Sequence, residues 1–424
     1  MINPDVHISS DNIMSPQLLN HIAERGLKGI ITEEYSREQN IAIRSKVSHL
    51  LGYLTTITPW DALSQFMQEF NTRTYFQEVN FDSFIEKFEQ RFGQDIKAYM
   101  DEWYTTHEVP LLSIKDASRK TTEDTQIIEF KVGNFSKTDG IVSIVARNYP
   151  GKSVIRNLQS YLIKAGECKR IVVHEDIKHQ VQLTTNFSGH FPENIFFEVQ
   201  QSPLSGPIPK EGITLLDRNQ FYSPGEIIVD NEDDNFSLID SANNRKRLTD
   251  IIKKEDGQKY TNRLQVLKTN AWSLPILQEL HGKYIRSAFV KKAGTGQFKA
   301  EWRANLPEAG KYEIFVYRPH LVGYEGGKTA TDHPGMKNYY TVYTPKGKEG
   351  IILEIPDKEE IWIGCTSTLP EEEAWVSLGT FTLPAGESRV VLDDRGVSTI
   401  TDRLYGELNQ MVVADAVKWV KKKY

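Results

Sequence analysis

The apolar residues of this chain change their period once, near residue 108, and that change limits what each part can fold into. Before it they recur every three to four residues, as in Ile43, Val47, Leu50, Leu51 and Leu54, and again in Phe81, Phe84, Ile85, Phe88 and Phe92. This spacing puts them on one side of successive helices. Ser15-Pro16 reads as an N-cap followed by proline at the first helical position, and Gly26 stands where a glycine would stop that helix. Thr58-Pro59 repeats the start, Asn80 opens another helix that Gly93 closes, and the last runs from Asp95 to Thr105. Short helices with short connections predict a helical bundle over 1–108.

Beyond the change the period is two. Ile128, Phe130 and Val132 alternate with polar neighbours, and Ile141–Val145, Ile171–Val173, Val181–Leu183 and Ile195–Val199 follow, separated by turn residues. About seven short strands over 110–205 predict an immunoglobulin-like β-sandwich. SPLSGPIP, three prolines in eight residues from Ser202, predicts a linker through 206–222. From 223 to 424 strands resume with more aromatics. Phe298, Ala300, Trp302, Ala304 and Leu306 alternate with Lys299, Glu301, Arg303 and Asn305, a half-buried strand with one wet face. Later strands include Tyr339–Tyr343 and Trp375–Leu383, and Met411–Val420 reads as the last. The fold class is therefore multidomain α + β: a helical bundle, an immunoglobulin-like sandwich and a jelly-roll-like sandwich.

Charge excludes some functions. The 51 basic and 57 acidic residues leave −6, without a long basic run, so nucleic acid is not an expected partner. No stretch approaches 18 apolar residues, so no membrane span is expected. The first residues, MINPDVHISSDNIM, lack the basic patch and apolar run of a signal peptide, which leaves a cytoplasmic protein or a start within a longer precursor. Cys168 and Cys365 fall in different predicted domains, which argues against a disulfide framework or a cysteine zinc site.

None of the 10 histidines forms His-x-x-x-His, as a zinc peptidase helix requires. Gly323–Thr329 approximates a phosphate-binding loop but is one residue short and lies between strands, so it reads as a flexible loop. No Gly-x-Ser-x-Gly elbow occurs. Asp393-Asp394-Arg395, at a strand end, reads as a turn, and a tertiary carboxylate pair for glycoside cleavage stays open. Asp230–Asn235 concentrates oxygen ligands, with Asp230, Glu232 and Asp234 as candidate ligands of a structural calcium, the alternative being a plain acidic turn. No other cofactor is expected. Asp415, among apolar neighbours, must be paired, with a backbone turn, Arg286 or Arg303 as partner. Sugar-binding sandwiches present flat rings to pyranose faces. Trp302 shares its face with alanines and is expected in the core, whereas Tyr324, Trp362 and Tyr340 are the candidate ligand-binding rings.

Ordered segments of the last region carry a resemblance. They are Ile227–Asp233, Arg286–Ala288, Gly294–Gly296, Ala300–Trp302, Gly310–Glu313, Tyr339–Tyr343, Trp375–Gly379 and Val413–Val417. Together they resemble the golvesin C-terminal-like module, also found on xanthan lyases and other secreted bacterial enzymes. The resemblance implies a carbohydrate-binding-like accessory sandwich in a periplasmic or secreted protein, with a polysaccharide or cell-surface polymer as partner. Phe81–Phe84, Phe92–Ile96, Tyr99–Trp103 and Val109-Pro110 resemble the helical tail of gluzincin zinc aminopeptidases, which leads into a β-sandwich. That family's His-Glu-x-x-His helix and downstream Glu are absent, so no catalytic residue is assigned. The expectation is a non-catalytic binding segment. Its alternatives are the tail of a zinc aminopeptidase whose catalytic domain lies upstream or on a partner, and a structural module for assembly.

Overall fold

The computed structural model describes residues 14–32, 34, 36–148, 155–197, 207–222, 225–240, 260–261, 271–319, 321–323, 329–331, 335–354, 374–397, 399–402 and 406–422. The chain divides into two compact units, Met1–Phe221 and Tyr222–Tyr424.

The first unit opens with helices α1 (Pro16–Ile30), α2 (Arg37–Ile57), α3 (Trp60–Arg73), α4 (Phe81–Phe92) and α5 (Lys97–Thr105). Ser15, Asn80 and Gly93 follow the capping chemistry read from the sequence, whereas the start expected at Thr58-Pro59 differs: Thr58 is the C-cap of α2, and Pro59 stands at the N-cap of α3 with no side-chain bond. The Ser15 hydroxyl accepts from the Leu18 amide and Asn80 Oδ1 from the Ser83 amide, while Gly93 ends α4 in the left-handed region at φ 65°. Gly26 also turns left-handed, at φ 64°, but the chain then coils on to Ile30, so this glycine kinks α1 instead of ending it. A side chain there would also crowd the His107 ring, 3.1 Å away. The shared helical core gathers Leu54, Leu63, Phe66, Phe88, Met100 and Trp103.

Two four-stranded sheets follow, built from β1 (Leu112–Thr121), β2 (Thr125–Asn134), β3 (Gly140–Asn148), β4 (Ile155–Ile163), β5 (Cys168–Asp176), β6 (His179–Thr184), β7 (Asn194–Phe196) and β8 (Gly212–Leu216). Their orders are β1-β2-β5-β8 and β4-β3-β6-β7. Ile114, Phe130, Val142, Ile144, Ile171 and Leu183 meet in one core between them. The segment expected as a linker over 206–222 therefore does more than connect. Its residues from Gly212 to Leu216 pair antiparallel with β5, and helix α6 (Arg218–Phe221) comes next. The prolines sit ahead of Gly212, so nothing in β8 itself removes a ladder donor.

The helices meet the sandwich through polar atoms. The Thr55 hydroxyl lies 2.6 Å from that of Ser160, which lies 2.7 Å from Ser143 Oγ, and Asn186 Nδ2 donates to Ser143 Oγ at 2.9 Å. Gly52 permits this approach, since a Cβ there would stand 3.0 Å from Ile141. Nearby, the Lys46 ammonium lies over the rings of Phe187 and Trp103, at 4.8 and 5.8 Å, and burial lowers its pKa to about 8. Glu193 accepts from the Ser45 hydroxyl, and burial of its carboxyl raises its pKa to about 8.

The second unit begins with β9 (Glu226–Val229), β10 (Phe236–Asp240), β11 (Tyr260–Thr261), β12 (Leu274–Pro275), β13 (Phe289–Lys292), β14 (Phe298–Leu306) and β15 (Gly310–Tyr317). It continues with β16 (Val322–Gly323), β17 (Thr329–Ala330), β18 (Lys337–Thr344), β19 (Gly347–Glu354) and β20 (Trp375–Leu383). The last strands are β21 (Gly386–Asp393), β22 (Ile400–Asp402), β23 (Gly406–Ala414) and β24 (Val417–Lys421). A five-stranded sheet, β10-β14-β21-β18-β19, and a four-stranded sheet, β20-β15-β24-β9, contribute to one core around Trp302, Tyr312, Ile314, Leu392 and Trp419. A further sheet runs β13-β23-β17-β16, with β22 on β23. The single strand expected over Met411–Val420 is two. It breaks at Asp415-Ala416, where the chain leaves the β13 partner and joins β15 and β9.

Glu193 gives the first unit a definite pH dependence. Above about pH 4.5 the unfolded chain releases this proton while the folded chain keeps it to about pH 8, so stability from this group falls across that window. Glu193→Gln, which fixes the neutral form, should leave thermal stability nearly unchanged at pH 4. At pH 8.5 it should raise stability by roughly 1–3 kcal/mol, the full 1.4 kcal/mol per pH unit being reduced by the residue's partial exposure. Equal effects at both pH values would refute the assignment.

Candidate functional site

Strand alternation gives the five-stranded sheet an inner and an outer face. Ala300, Trp302, Ala304 and Leu306 of β14, with Val390 and Leu392 of β21 and Tyr340 and Val342 of β18, point into the core. The intervening residues point the other way. Register aligns these outer residues in rows across the strands. Lys299, Asp393, Tyr339 and Ile352 form one row, and Arg303, Arg389, Tyr343 and Lys348 form another. Between them lie Ser237, Glu301, Val391, Thr341 and Gly350. In this middle row Ser237, Glu301 and Val391 are buried, Thr341 is half-buried and Gly350 is exposed, so the row lies lower than the tyrosine and arginine rows beside it and makes a shallow trough. Tyr339 and Tyr343 are four residues apart, or roughly 13 Å along the strand.

The charged groups on this face are tied to one another. The Glu301 carboxylate, only 3% exposed, accepts from Arg303 Nε at 2.7 Å and from Arg389 Nη1 at 3.2 Å. One buried anion thus orders two guanidiniums. The Arg389 guanidinium lies 3.5 Å from the Tyr343 ring centre, with Lys348 5.4 Å from the same ring. Arg395, paired to both oxygens of Asp393 at 2.8 and 2.6 Å, covers Tyr339 at 4.5 Å. Ring contact and hydrogen bonds, forked in the case of Arg395, restrain these cations at the surface. At the β10 edge the face deepens into a cleft of about 290 Å³, lined by Asp234, Asn235, Ser237, Arg303, Asn305 and Glu387.

Of the sequence-predicted rings, Tyr324 and Trp362 lie outside the described residues. Tyr340 is 6% exposed and packs in the core, and burial pushes its phenol pKa up. Its neighbours Tyr339 and Tyr343 hold the outer positions. The signal was in the segment itself: Val342 shares Tyr340's parity and marks that side as the apolar one, which leaves Tyr339, Thr341 and Tyr343 facing out. Trp302, expected in the core, is 1% exposed.

The acidic segment forms a turn. The Asp233 amide donates to the Asp230 carbonyl, Asp233 Oδ2 accepts from the Asp230 amide, and Asp230 Oδ1 from the Asn231 amide. Glu232 accepts from the Tyr260 and Ser287 hydroxyls, and Asp234 is exposed at the cleft. Burial first, then the charges of Asp415, Glu232 and Asp233, raises the Asp230 carboxyl well above the usual carboxylate range. Among the described residues no three His, Cys, Asp or Glu side chains come together as a metal site. Asp415 Oδ2 accepts from the His281 amide, a backbone partner of the kind expected. Asp394 is buried against Lys291 and also accepts from the Gly296 and Phe298 amides, so Asp393 and Asp394 serve different ion pairs.

No protein-family model and no curated protein matches the chain. Among solved structures it has partial matches at low TM-score. One is β-glucosidase 3B from Thermotoga neapolitana, at 8% identity, TM-score 0.17, covering 22% of this chain and 16% of that one. Another is TmCBM61 in complex with β-1,4-galactotriose, at 11% identity, TM-score 0.18, covering 47% of this chain and 90% of that one. A third is Bacteroides uniformis β-glucuronidase, at 10% identity, TM-score 0.19, covering 79% and 32%. The chain thus spans about a sixth of the β-glucosidase it matches.

Glu301→Gln tests how the outer face is held. It leaves Arg303 and Arg389 adjacent without their shared anion, and should destabilise the second unit by roughly 1–3 kcal/mol. Because the residual effect is repulsion between partly exposed cations, added salt should shrink it. Urea unfolding at low salt and at about 0.5 M NaCl reads both; a deficit independent of salt would point to packing instead.

Proposed function

We propose that this chain is a non-catalytic glycan-binding segment, with the outer face of β10-β14-β21-β18-β19 as its binding surface. The observation that carries this reading is the trough between Tyr339 and Tyr343, with its ordered arginines and a small cleft at one end. Ring faces and the exposed Ile352 side chain offer apolar contact to the C–H faces of pyranoses. Thr341, Asn305, Ser237 and the guanidinium N–H groups offer hydrogen bonds to hydroxyls. Cleft and tyrosines are separated by three strand spacings, roughly 14 Å, a span suited to several consecutive sugars.

Binding without cleavage is supported by the state of the carboxylates. Glu301 is buried between two arginines, Asp393 is held on both oxygens by Arg395 and Glu387 stands by Arg303, so these three are engaged with cations, and Asp234 is the further carboxylate at the cleft. The resemblance of the terminal half to golvesin-type modules points the same way. It extends the reading to an accessory part of a bacterial secreted or periplasmic protein, one that tethers its parent to a polymer.

Affinity electrophoresis of the full chain through gels containing xylan, β-glucan, galactan, polygalacturonate or solubilised peptidoglycan tests this. At least one polymer should retard it, and the double variant Tyr339→Ala/Tyr343→Ala should weaken retardation at least tenfold, about 1.4 kcal/mol. Free migration in every gel, or retardation that survives the double variant, would sink the reading.

A further inference from the structure

Resting on that glycan-binding reading, we infer that the Tyr343 end of the face accepts a sugar carrying a carboxylate, so that the ligand is an acidic polysaccharide. The two ends of the trough differ in charge. At the β10 edge Asp234 and Glu387 line the cleft beside Arg303, and Arg303 Nη1 stands 3.8 Å from Glu387. A second anion there would meet two carboxylates. Across the sheet the balance reverses. Arg389 and Lys348 converge on Tyr343, and Glu301, the carboxylate that Arg389 meets, is buried and shared with Arg303. Arg303 and Arg389 are balanced by Glu301 and Glu387, and Lys348, on exposed β19, adds a positive charge at that end.

The geometry suits a carboxylate better than a hydroxyl alone. Arg389 is stacked on Tyr343 and tethered by Glu301, so its orientation is set before any ligand arrives. A planar fork held in that way can meet a planar carboxylate with paired N–H···O bonds. Because its orientation is fixed, little side-chain freedom is lost on binding. Thr341 and Gly350 lie beside this site in the middle row, and a Cβ at Gly350 would meet nothing within 4 Å, so there is room for a ring next to the cations. Arg395, neutralised by Asp393, supplies hydrogen bonds over Tyr339 without adding net charge.

The test compares each acidic polymer with its own neutral form. Full chain is titrated with polygalacturonate, alginate and hyaluronate, and with the methyl ester of each, at about 0.05 and 0.5 M NaCl. At least one free acid should bind tenfold or more tighter than its ester, and that advantage should fall at high salt. Arg389→Gln should abolish the preference for the free acid. Lys348→Gln, on an exposed edge strand where folding is not at stake, should reduce it two- to fivefold. If acids and esters bind alike and both variants match the parent, the inference fails while glycan binding stands. If only neutral glycans of the earlier panel bind, the inference fails in the same way. Failure to bind any polymer in either panel overturns both.

Discussion

Two indole hydrogen bonds hold the second unit in register. The Trp302 N–H, on β14 of the five-stranded sheet, donates to the Asp415 carbonyl at 2.9 Å, where the chain passes from β23 to β24. The Trp419 N–H, on β24 of the four-stranded sheet, donates to Ser388 Oγ on β21 at 3.0 Å. The bonds run in opposite directions through one core, and each indole is at most 1% exposed. Large rings supply most of the buried apolar area here, while the N–H groups, which cannot be left unpaired, select one register among those that apolar packing alone would allow. Asp415 is itself fixed by the His281 amide, so the crossing point between the sheets is held from two sides.

That constraint reaches the outer face through strand parity. With Trp302 pointing in, Glu301 and Arg303 must point out. Antiparallel pairing then sets Arg389 beside Arg303 and Tyr343 beside Arg389. A slip of one residue in β14 would bury Glu301 and Arg303 in the core and expose Trp302. The cost of burying those charges without partners is far larger than any gain from a different pairing. The candidate binding face is therefore a geometric consequence of core packing, and its residues come from five strands between residues 236 and 393.

Much of the architecture was legible because it rests on local chemistry. Ser15, Asn80 and Gly93 act as the caps their residue types predict, and the alternation from Phe298 to Leu306 correctly separates a core side from a wet one. What was not legible depends on partners. Gly26 looks like a helix end, but whether the chain coils on past it is decided by what packs after it. The proline-rich stretch before Gly212 reads as a linker, yet the five residues after it find the free edge of β5. Met411–Val420 reads as one strand since nothing local marks the change of sheet at Asp415. Tyr340 is a different case: the alternation with Val342 already places it on the apolar side of its strand. Glu301 as the hub of two arginines could not be seen at all, because Arg389 is brought to it only by the β14–β21 pairing.

The charge arrangement also bears on why such a face stays open. Half-buried tyrosines and an edge strand like β19 invite pairing with another sheet, and Ile352 adds an apolar contact point. Guanidiniums lying over Tyr339 and Tyr343 cover one side of each ring with a hydrated cation, and Lys348 lies on the edge strand itself. A second flat sheet would have to strip water from these cations without offering carboxylates in return, which is costly. A hydroxyl-rich chain carrying its own anion would replace that water with hydrogen bonds and charge. The features that discourage sheet-to-sheet association are thus the ones that favour a hydrated, acidic polymer, with Glu301 holding the guanidinium over Tyr343 and Asp393 the one over Tyr339.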